Sequence, residues 1–365
     1  MTNRIDTLRA EMESTNLDSM LVTSKANIYY LSNYLTDPHE RIIAVYISAD
    51  FDPILVLPNM EKEDAIHAGW QYEIIGYHDH EDPWELFKSA LQKKNKIPGS
   101  IGLEYDHLTL DRYQSVTSLF PDTEMKDAKE VLANLRVIKN KKEYAILKHA
   151  ADLADFGIET GINAIKEGVR EIDIIATIEY ELKKKGIQGM SFSTMVLSGT
   201  KTASPHGTPG TKKIEKGDMV LFDLGVIYDG YCSDITRTVA YKSITPEQEK
   251  IYNTVLEAEE KSIKISKIGT SVGKVDLAAR NHIEDAGYGE YFTHRIGHGI
   301  GIETHEYPSM HSKNDLPLKE GMSYTVEPGI YVPGTGGVRI EDMIYMTEKG
   351  PELLTKSPKQ LRIID

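Results

Sequence analysis

Asp223 and Asp234 lie on either side of Asp229-Gly230, a dipeptide favoured in two-residue hairpin turns. Closing the chain there pairs Tyr228 with Tyr231 and Asp223 with Thr236, which leaves Asp234 diagonal to Asp223 on the same strand face. Diagonal neighbours sit roughly 7–8 Å apart at the backbone, so their carboxylates can converge. Glu327 and Glu341 repeat the pattern. Their midpoint is Gly334, inside Pro333-Gly334-Thr335-Gly336-Gly337, so a hairpin centred on it sets the two glutamates opposite each other. Apolar runs precede the first member of each pair, Val220-Leu221-Phe222 and Tyr324-Thr325-Val326, and facing like charges there are costly without a cation. Singly, each acid also fits a solvated strand end; two such pairs in separate hairpins point to a common role. His298, set between glycines in Gly297-His298-Gly299-Ile300-Gly301, adds a nitrogen donor whose bare flanking backbone lets it turn inward. One imidazole with four carboxylates makes a ligand set for two divalent ions whose charge offsets that of the acids. Oxygen-rich ligation of this kind favours manganese or cobalt, with zinc or iron next, over a thiolate-bound zinc. Two ions about 3.5–4 Å apart can activate one shared water.

The elements that must position these groups read as follows. Ile5, Leu8 and Met12 recur at helical spacing, Met20–Val22, Arg41–Ile47, Ile54–Leu57 and Ile101–Leu103 read as strands, and Trp84–Leu91 as a helix. This alternation predicts an α/β N-terminal domain over residues 1–125, followed by a charge-rich helical linker over 126–140 that includes Lys129–Lys142 at its widest. Residues 141–365 form the second domain, with helices at Lys141–Lys166, Glu171–Lys185, Pro246–Lys267 and Val272–Ala286. Strands are expected at Ser193–Leu197, Met219–Leu224, Asp234–Tyr241, Ser323–Val326 and Val338–Met346. Helix pair, strands, helix pair, strands is a repeat of architecture without a repeat of sequence.

Composition narrows the chemistry. The chain has 365 residues, 42 Lys and Arg against 56 Asp and Glu, and a formal charge of −14, which disfavours nucleic acid and anionic membranes as partners. A single cysteine, Cys232, supplies no intrachain disulfide and fits a reducing, cytoplasmic setting. Residues 1–10 lack the apolar centre of an export signal. The glycines around His298 do not have the spacing of a dinucleotide fingerprint, and no Walker-type GKS or GKT is present.

The motifs Phe222-Asp223-Leu224-Gly225, Ser233-Asp234-Ile235-Thr236-Arg237-Thr238, Gly297-His298-Gly299-Ile300-Gly301, Val326-Glu327-Pro328-Gly329 and Val338-Arg339-Ile340-Glu341-Asp342, in this order, closely resemble those of the "pita-bread" dimetal peptidases. That family includes methionine aminopeptidase, aminopeptidase P and prolidase, and the N-terminal part resembles the creatinase-type domain of the last two. The resemblance implies an α+β catalytic domain of the pita-bread fold behind the α/β N-terminal one. It implies that Asp223 holds one ion, that Asp234 and Glu341 bridge two, and that His298 and Glu327 complete the set, with Glu327 also handling the proton of the attacking water. His206, in Ser204-Pro205-His206-Gly207, and His305, in His305-Glu306-Tyr307-Pro308, match histidines that hold the substrate and steady the tetrahedral intermediate. His294 matches a position near the substrate, and Arg339 one that orients a ligand carboxylate.

The substrate implied is a small peptide with proline second, cleaved as an Xaa–Pro dipeptide; the alternative within the family is aminopeptidase P-like removal of the residue before proline from longer peptides. Such a bond has no amide N–H and a fixed φ, so a site that polarises the carbonyl suits it better than one that grips that N–H. The resemblance also implies a homodimer. Similar loops in bacterial prolidases enter the partner's active site, which assigns Asp37 and His39, in Asp37-Pro38-His39-Glu40-Arg41, to substrate binding across that interface.

Overall fold

The computed structural model describes residues 2–365, which divide into two compact units, 2–135 and 136–365. In the smaller unit the strands are β1 (Ser19–Val22), β2 (Ala44–Ser48), β3 (Ile54–Pro58), β4 (Glu73–Tyr77), β5 (Ser100–Leu103) and β6 (Glu124–Asp127), and they form one sheet in the order β4-β3-β2-β1-β5-β6. Its helices are α1 (Thr2–Ser14), α2 (Lys25–Ser32), α3 (Lys62–His67), α4 (Pro83–Lys93) and α5 (Leu110–Leu119). Strands β1, β2, β3 and β5 are buried throughout, as expected when apolar runs are covered on both faces.

The expected helical connector contains α6 (Lys129–Val137), and the helix expected from Lys141 follows as α7 (Lys141–Asn163) after a short break. The break has a local cause: the Asn140 side chain accepts from the amides of Lys142 and Glu143, and the Glu143 carboxylate accepts from the Asn140 amide, a capping box that starts a new helix. Helix α8 (Glu171–Lys184) pairs with α7, and α9 (Pro246–Ile265) with α10 (Val272–Asp285). Thr245 caps α9, and Pro246 occupies its first turn, where a missing N–H costs nothing.

The strands of the larger unit are β7 (Gly189–Met190), β8 (Met195–Ser198), β9 (Met219–Leu224), β10 (Val226–Tyr228), β11 (Tyr231–Cys232), β12 (Ile235–Tyr241), β13 (Gly297–Gly299), β14 (Glu306–Met310), β15 (Ser323–Val326), β16 (Gly329–Val332), β17 (Gly336–Arg339), β18 (Asp342–Thr347), β19 (Gly350–Leu353) and β20 (Ile363–Ile364). Two main sheets, β20-β12-β9-β8 and β14-β13-β15-β18-β19, each lie against one helix pair. Ile158, Ile178, Phe222 and Val239 belong to the core under α7 and α8; Val255, Ala279, Tyr324 and Ile344 belong to the core under α9 and α10. Among the described residues no helix is long and apolar enough to cross a membrane.

Both hairpins adopt the register anticipated from their turns. Asp223 pairs with Thr236, and Tyr228 with Tyr231, around Asp229 and Gly230 at φ 45° and 75°. Val326 pairs with Asp342, and Val332 with Gly336, so both segments centre on Gly334. The expected strand Val338–Met346 is nevertheless divided. At Glu341 the chain leaves β17, its amide donates to Thr236 O at 3.1 Å, and it resumes as β18 in a different sheet. The two hairpins therefore join backbone to backbone between Thr236 and Glu341.

Arg237 locks that junction. Its guanidinium donates to Thr236 O (3.0 Å), Glu341 O (2.5 Å), Ser357 O (2.7 and 3.0 Å) and Asp342 Oδ1 (2.6 Å), and the whole group is buried. Burial would raise the Asp342 carboxyl, but Arg237 and Lys359 hold it well below the usual carboxylate range. Replacing Arg237 by Met removes one of the two cations that face the Asp342 carboxylate and leaves the buried carbonyls of Glu341 and Ser357 without their donor. The expected result is a loss of about 3–5 kcal/mol of stability, read by denaturant unfolding, with the fold either weakened by that amount or lost.

Candidate active site

Each sheet delivers acids where its strands meet the junction. Asp223 is near the end of β9, Asp234 immediately precedes β12, Glu327 follows β15 and Glu341 precedes β18. His298 is the middle residue of β13. Gly297 permits this, because a Cβ there would fall 2.0 Å from Thr325 O of the neighbouring strand. Gly225 does the same for the first hairpin, where a Cβ would lie 1.8 Å from Ser233 O, beside Asp234.

The five side chains converge. His298 Nε2 is 3.3 Å from Glu327 Oε1 and 3.7 Å from Asp234 Oδ2, and donor atoms of Asp234, His298 and Glu341 lie within 4.8 Å of one another. His298 Nδ1 is 3.1 Å from Gly299 O, which assigns the ring proton to Nδ1 and turns the Nε2 lone pair towards carboxylate oxygens. Lone pair against lone pair is repulsive unless a cation stands between. Three buried oxygens, Asp223 Oδ1, Asp234 Oδ1 and Glu341 Oε1, lack a hydrogen-bond partner among the described residues. Burial, then repulsion among the neighbouring acids, pushes Asp234 and Glu341 well up, and Asp223 rises with them despite Arg339. Burial opposes ionisation of Glu327 too, while the permanent charge of Arg339 favours it. Orphaned buried oxygens, a carboxylate cluster and one imidazole nitrogen fit a divalent cation of hard or borderline character.

A second network supports the acids. Arg339 Nη2 donates to Asp223 Oδ2 at 2.5 Å, its Nε donates to Thr236 Oγ1 at 3.1 Å, and Thr236 in turn donates to Glu341 Oε2 at 2.7 Å. Arg339 Nη1 donates to the Tyr331 hydroxyl at 2.9 Å, and that hydroxyl is 2.8 Å from His294 Nε2. His294 Nδ1 lies 2.8 Å from Arg295 O, so the network assigns the His294 proton to Nδ1 and makes Tyr331 the donor to Nε2. Burial lowers His294, which keeps it neutral.

All five convergent residues, with His206, His294, His305 and Arg339, line one cavity of about 540 Å³ in the larger unit. The His305 ring stands edge-on to His298, centroids 4.2 Å apart at 86°. Burial, then His298 and Arg295, lowers its pKa to about 4, so it is neutral at pH 7. Asp37 and His39 are not among the lining residues. They occupy an exposed loop of the smaller unit, where Lys25 pairs with Asp37 at 2.5 Å and His39 adopts φ 56°.

Four residues that line or brace the cavity carried no assignment from the sequence. Thr236 and Tyr331 stand within or beside the quoted motifs, so their position was a usable signal. Arg295 follows His294 and lines the cavity as a cation near its histidines. Phe192, an apolar aromatic of the lining, sits in a serine-rich stretch with no local pattern to mark it.

The description "Metallopeptidase family M24" matches residues 145–348, and "Creatinase/Prolidase N-terminal domain" matches residues 4–138. A Bacillus subtilis (strain 168) protein named "Putative dipeptidase YkvY" is 52% identical over 362 residues, covering 99% of this chain and 100% of the relative. An Xaa-Pro dipeptidase structure from Bacillus anthracis is similar at a TM-score of 0.92 and 36% identity, covering 100% of this chain and 99% of the other. A prolidase structure from Pyrococcus horikoshii OT3 gives 0.91 and 35%, covering 99% and 100%.

The wall carrying His305 supplies a pH test. The next residue, Glu306, is buried against Arg136 and Lys139, with Lys139 Nζ at 3.0 Å, and Arg136 also pairs with Glu303 at 2.8 Å. Burial alone would raise Glu306, but the two cations bring it down to about 2. A carboxyl depressed below its unfolded value, about 4.3, stabilises the fold above that value and loses the contribution as pH falls towards 2. Between pH 5 and pH 2 the melting temperature of Glu306→Gln is therefore expected to fall less steeply than that of the wild type. Parallel curves would show that Glu306 does not titrate in this way.

Proposed function

The chain belongs to metallopeptidase family M24, and we propose that it hydrolyses Xaa–Pro dipeptides using two divalent ions, manganese first among them, held by Asp223, Asp234, His298, Glu327 and Glu341. The observation that carries this reading is the gathering of four acids and His298 in one cavity, Asp234 and Glu327 closest to the imidazole Nε2, with three carboxylate oxygens left unpartnered. Asp234 and Glu341 would serve both ions, Asp223 one of them, and His298 and Glu327 would complete the set. When bound, the ion pair supplies Lewis-acid polarisation and an activated water.

The remaining work falls to the chain itself. Glu327 accepts the proton given up by the attacking water and returns it towards the leaving imino nitrogen. His206 and neutral His305, both lining the cavity, hold the substrate and stabilise the negative oxygen that develops at the scissile carbonyl. Arg339 keeps Asp223 in place while Tyr331 orients His294. Arg295 offers the cation that a free peptide carboxylate requires, and Phe192 an apolar surface for the pyrrolidine ring. A cavity of about 540 Å³ lies within the usual range for small ligands, about 300–1,000 Å³. None of these steps needs the amide N–H that proline lacks. The smaller unit enters through a homodimer in the cytoplasm, in which Asp37 and His39 of one copy limit peptide length in the other.

After chelation, the enzyme is expected to be inactive on Ala-Pro and to recover with manganese, then cobalt or zinc. Cleavage of Ala-Pro well above Ala-Pro-Ala supports a dipeptidase, and the reverse order an aminopeptidase P-like enzyme. Asp234→Asn is expected to abolish the rise in melting temperature that manganese produces in the chelated wild type, a readout independent of turnover. Activity insensitive to chelation would overturn the whole reading. For the loop, His39→Ala is expected to raise KM about tenfold at unchanged metal content; unchanged kinetics would remove His39 from the site.

A further inference from the structure

His305 has no hydrogen-bond partner for its ring among the described residues, so its direction must come from the backbone that carries it and from its contact with His298. That backbone is the short loop from Gly301 to His305, between β13 and β14. Its polar anchor is the next side chain, Glu306. The carboxylate folds back into the loop, accepting from the Glu303 amide at 3.1 Å. It occupies the space that a side chain at Gly301 would take: a Cβ there would lie 2.6 Å from Oε2 and 2.8 Å from Oε1. From the far side, Arg136 donates to Oε1 and Lys139 donates to Oε2 at 3.0 Å, with Lys139 and Glu306 side chains only 2% and 3% exposed.

Lys139 is itself a fixed post. Its amide donates to Gly321 O at 2.8 Å, the adjoining Ile138 bridges to Met322, and the Gly321 amide donates to Met346 O at 2.8 Å, tying the segment to the sheet that bears Glu327 and Glu341. Buried charge clusters of this kind add little net stability over an apolar packing of the same volume, whereas they are demanding about geometry. Their arrangement here is balanced, two cations against Glu306 and the half-exposed Glu303. The loop has further ties, Cys232 N to Gly301 O at 2.7 Å and Thr304 Oγ1 to Ser191 O at 3.2 Å, the second on the residue before His305, whereas Glu306 holds the residue after it with a buried charge cluster.

We propose that Glu306, clamped between Arg136 and Lys139, is a positioning residue that holds His305 beside His298 over the cavity. The inference rests on the substrate-holding role of His305 given under Proposed function. It assigns to two cations at the start of the larger unit a part in catalysis, although neither touches the cavity.

A double-mutant cycle on manganese-loaded enzyme with Ala-Pro tests it, using Glu306→Gln, His305→Ala and the pair. Displacing a catalytic group by about 1 Å costs on the order of 100-fold in rate. Glu306→Gln is therefore expected to lower kcat by about 10- to 100-fold, with bound manganese unchanged. Added to His305→Ala it should change kcat by less than about twofold, because the group it positions is already gone. A Glu306→Gln enzyme with wild-type kcat beside a crippled His305→Ala would overturn the proposal and leave the reading of the site intact. Multiplicative losses in the pair would overturn it in favour of a general structural role. Wild-type kinetics for His305→Ala would remove the reading on which it stands. If Glu306→Gln does not fold, Lys139→Met, which keeps the Arg136–Glu306 pair, goes through the same cycle with the same criteria.

Discussion

Asp223, Asp234, Glu327 and Glu341 are held out of water in one cluster, where each ionised carboxylate raises the cost of ionising the next. A chain left to its own electrostatics would separate them. It does not, because their spacing is set by the antiparallel registers of β9 with β12 and of β15 with β18: these strands are buried along nearly their whole length, so slipping either hairpin by one residue would exchange the side chains packed on its two faces. Hydrophobic burial over whole strands thus outweighs repulsion between a few oxygens. The stored repulsion becomes affinity for positive charge at one point in space.

The same logic explains the arginines. Arg339 answers the cluster from inside, placing a permanent cation against Asp223 and, through Thr236, orienting Glu341. Arg237 answers from behind, gathering the carbonyls where the hairpins meet. Neither could be replaced by a lysine of equal charge without losing the forked geometry that reaches several acceptors at once. Arg339 also carries order outward, since its contact with Tyr331 fixes the tautomer of His294.

Of the histidines around the acids, His294 and His305 are kept neutral chiefly by burial. A neutral imidazole can donate to a developing oxyanion without adding a competing cation, so the walls and the floor of the cavity hold opposite electrostatic characters. The floor is built on strands and needs little further support. The wall at His305 stands on a loop, and loops take their shape from what their side chains hold.

Much of this was legible in one dimension. The Asp229-Gly230 turn placed Asp223 opposite Thr236, the glycines around residue 334 placed Glu327 opposite Glu341, and apolar periodicity located the helix pairs. These are local properties, set by backbone sterics and by a side-chain alternation with period two, and they survive in the sequence string. The motifs likewise sufficed to recognise the family. Tertiary structure alone decided what touches what across long separations. Glu341 leaves its strand to meet Thr236, so an apparently continuous run Val338–Met346 becomes two strands in different sheets. Tyr331 finds His294 and Arg339, and Glu306 finds Arg136 and Lys139 some 167 to 170 positions earlier. No local pattern encodes such meetings, because they depend on where two separately packed sheets come together, and that is determined by the summed burial of side chains distant in the chain.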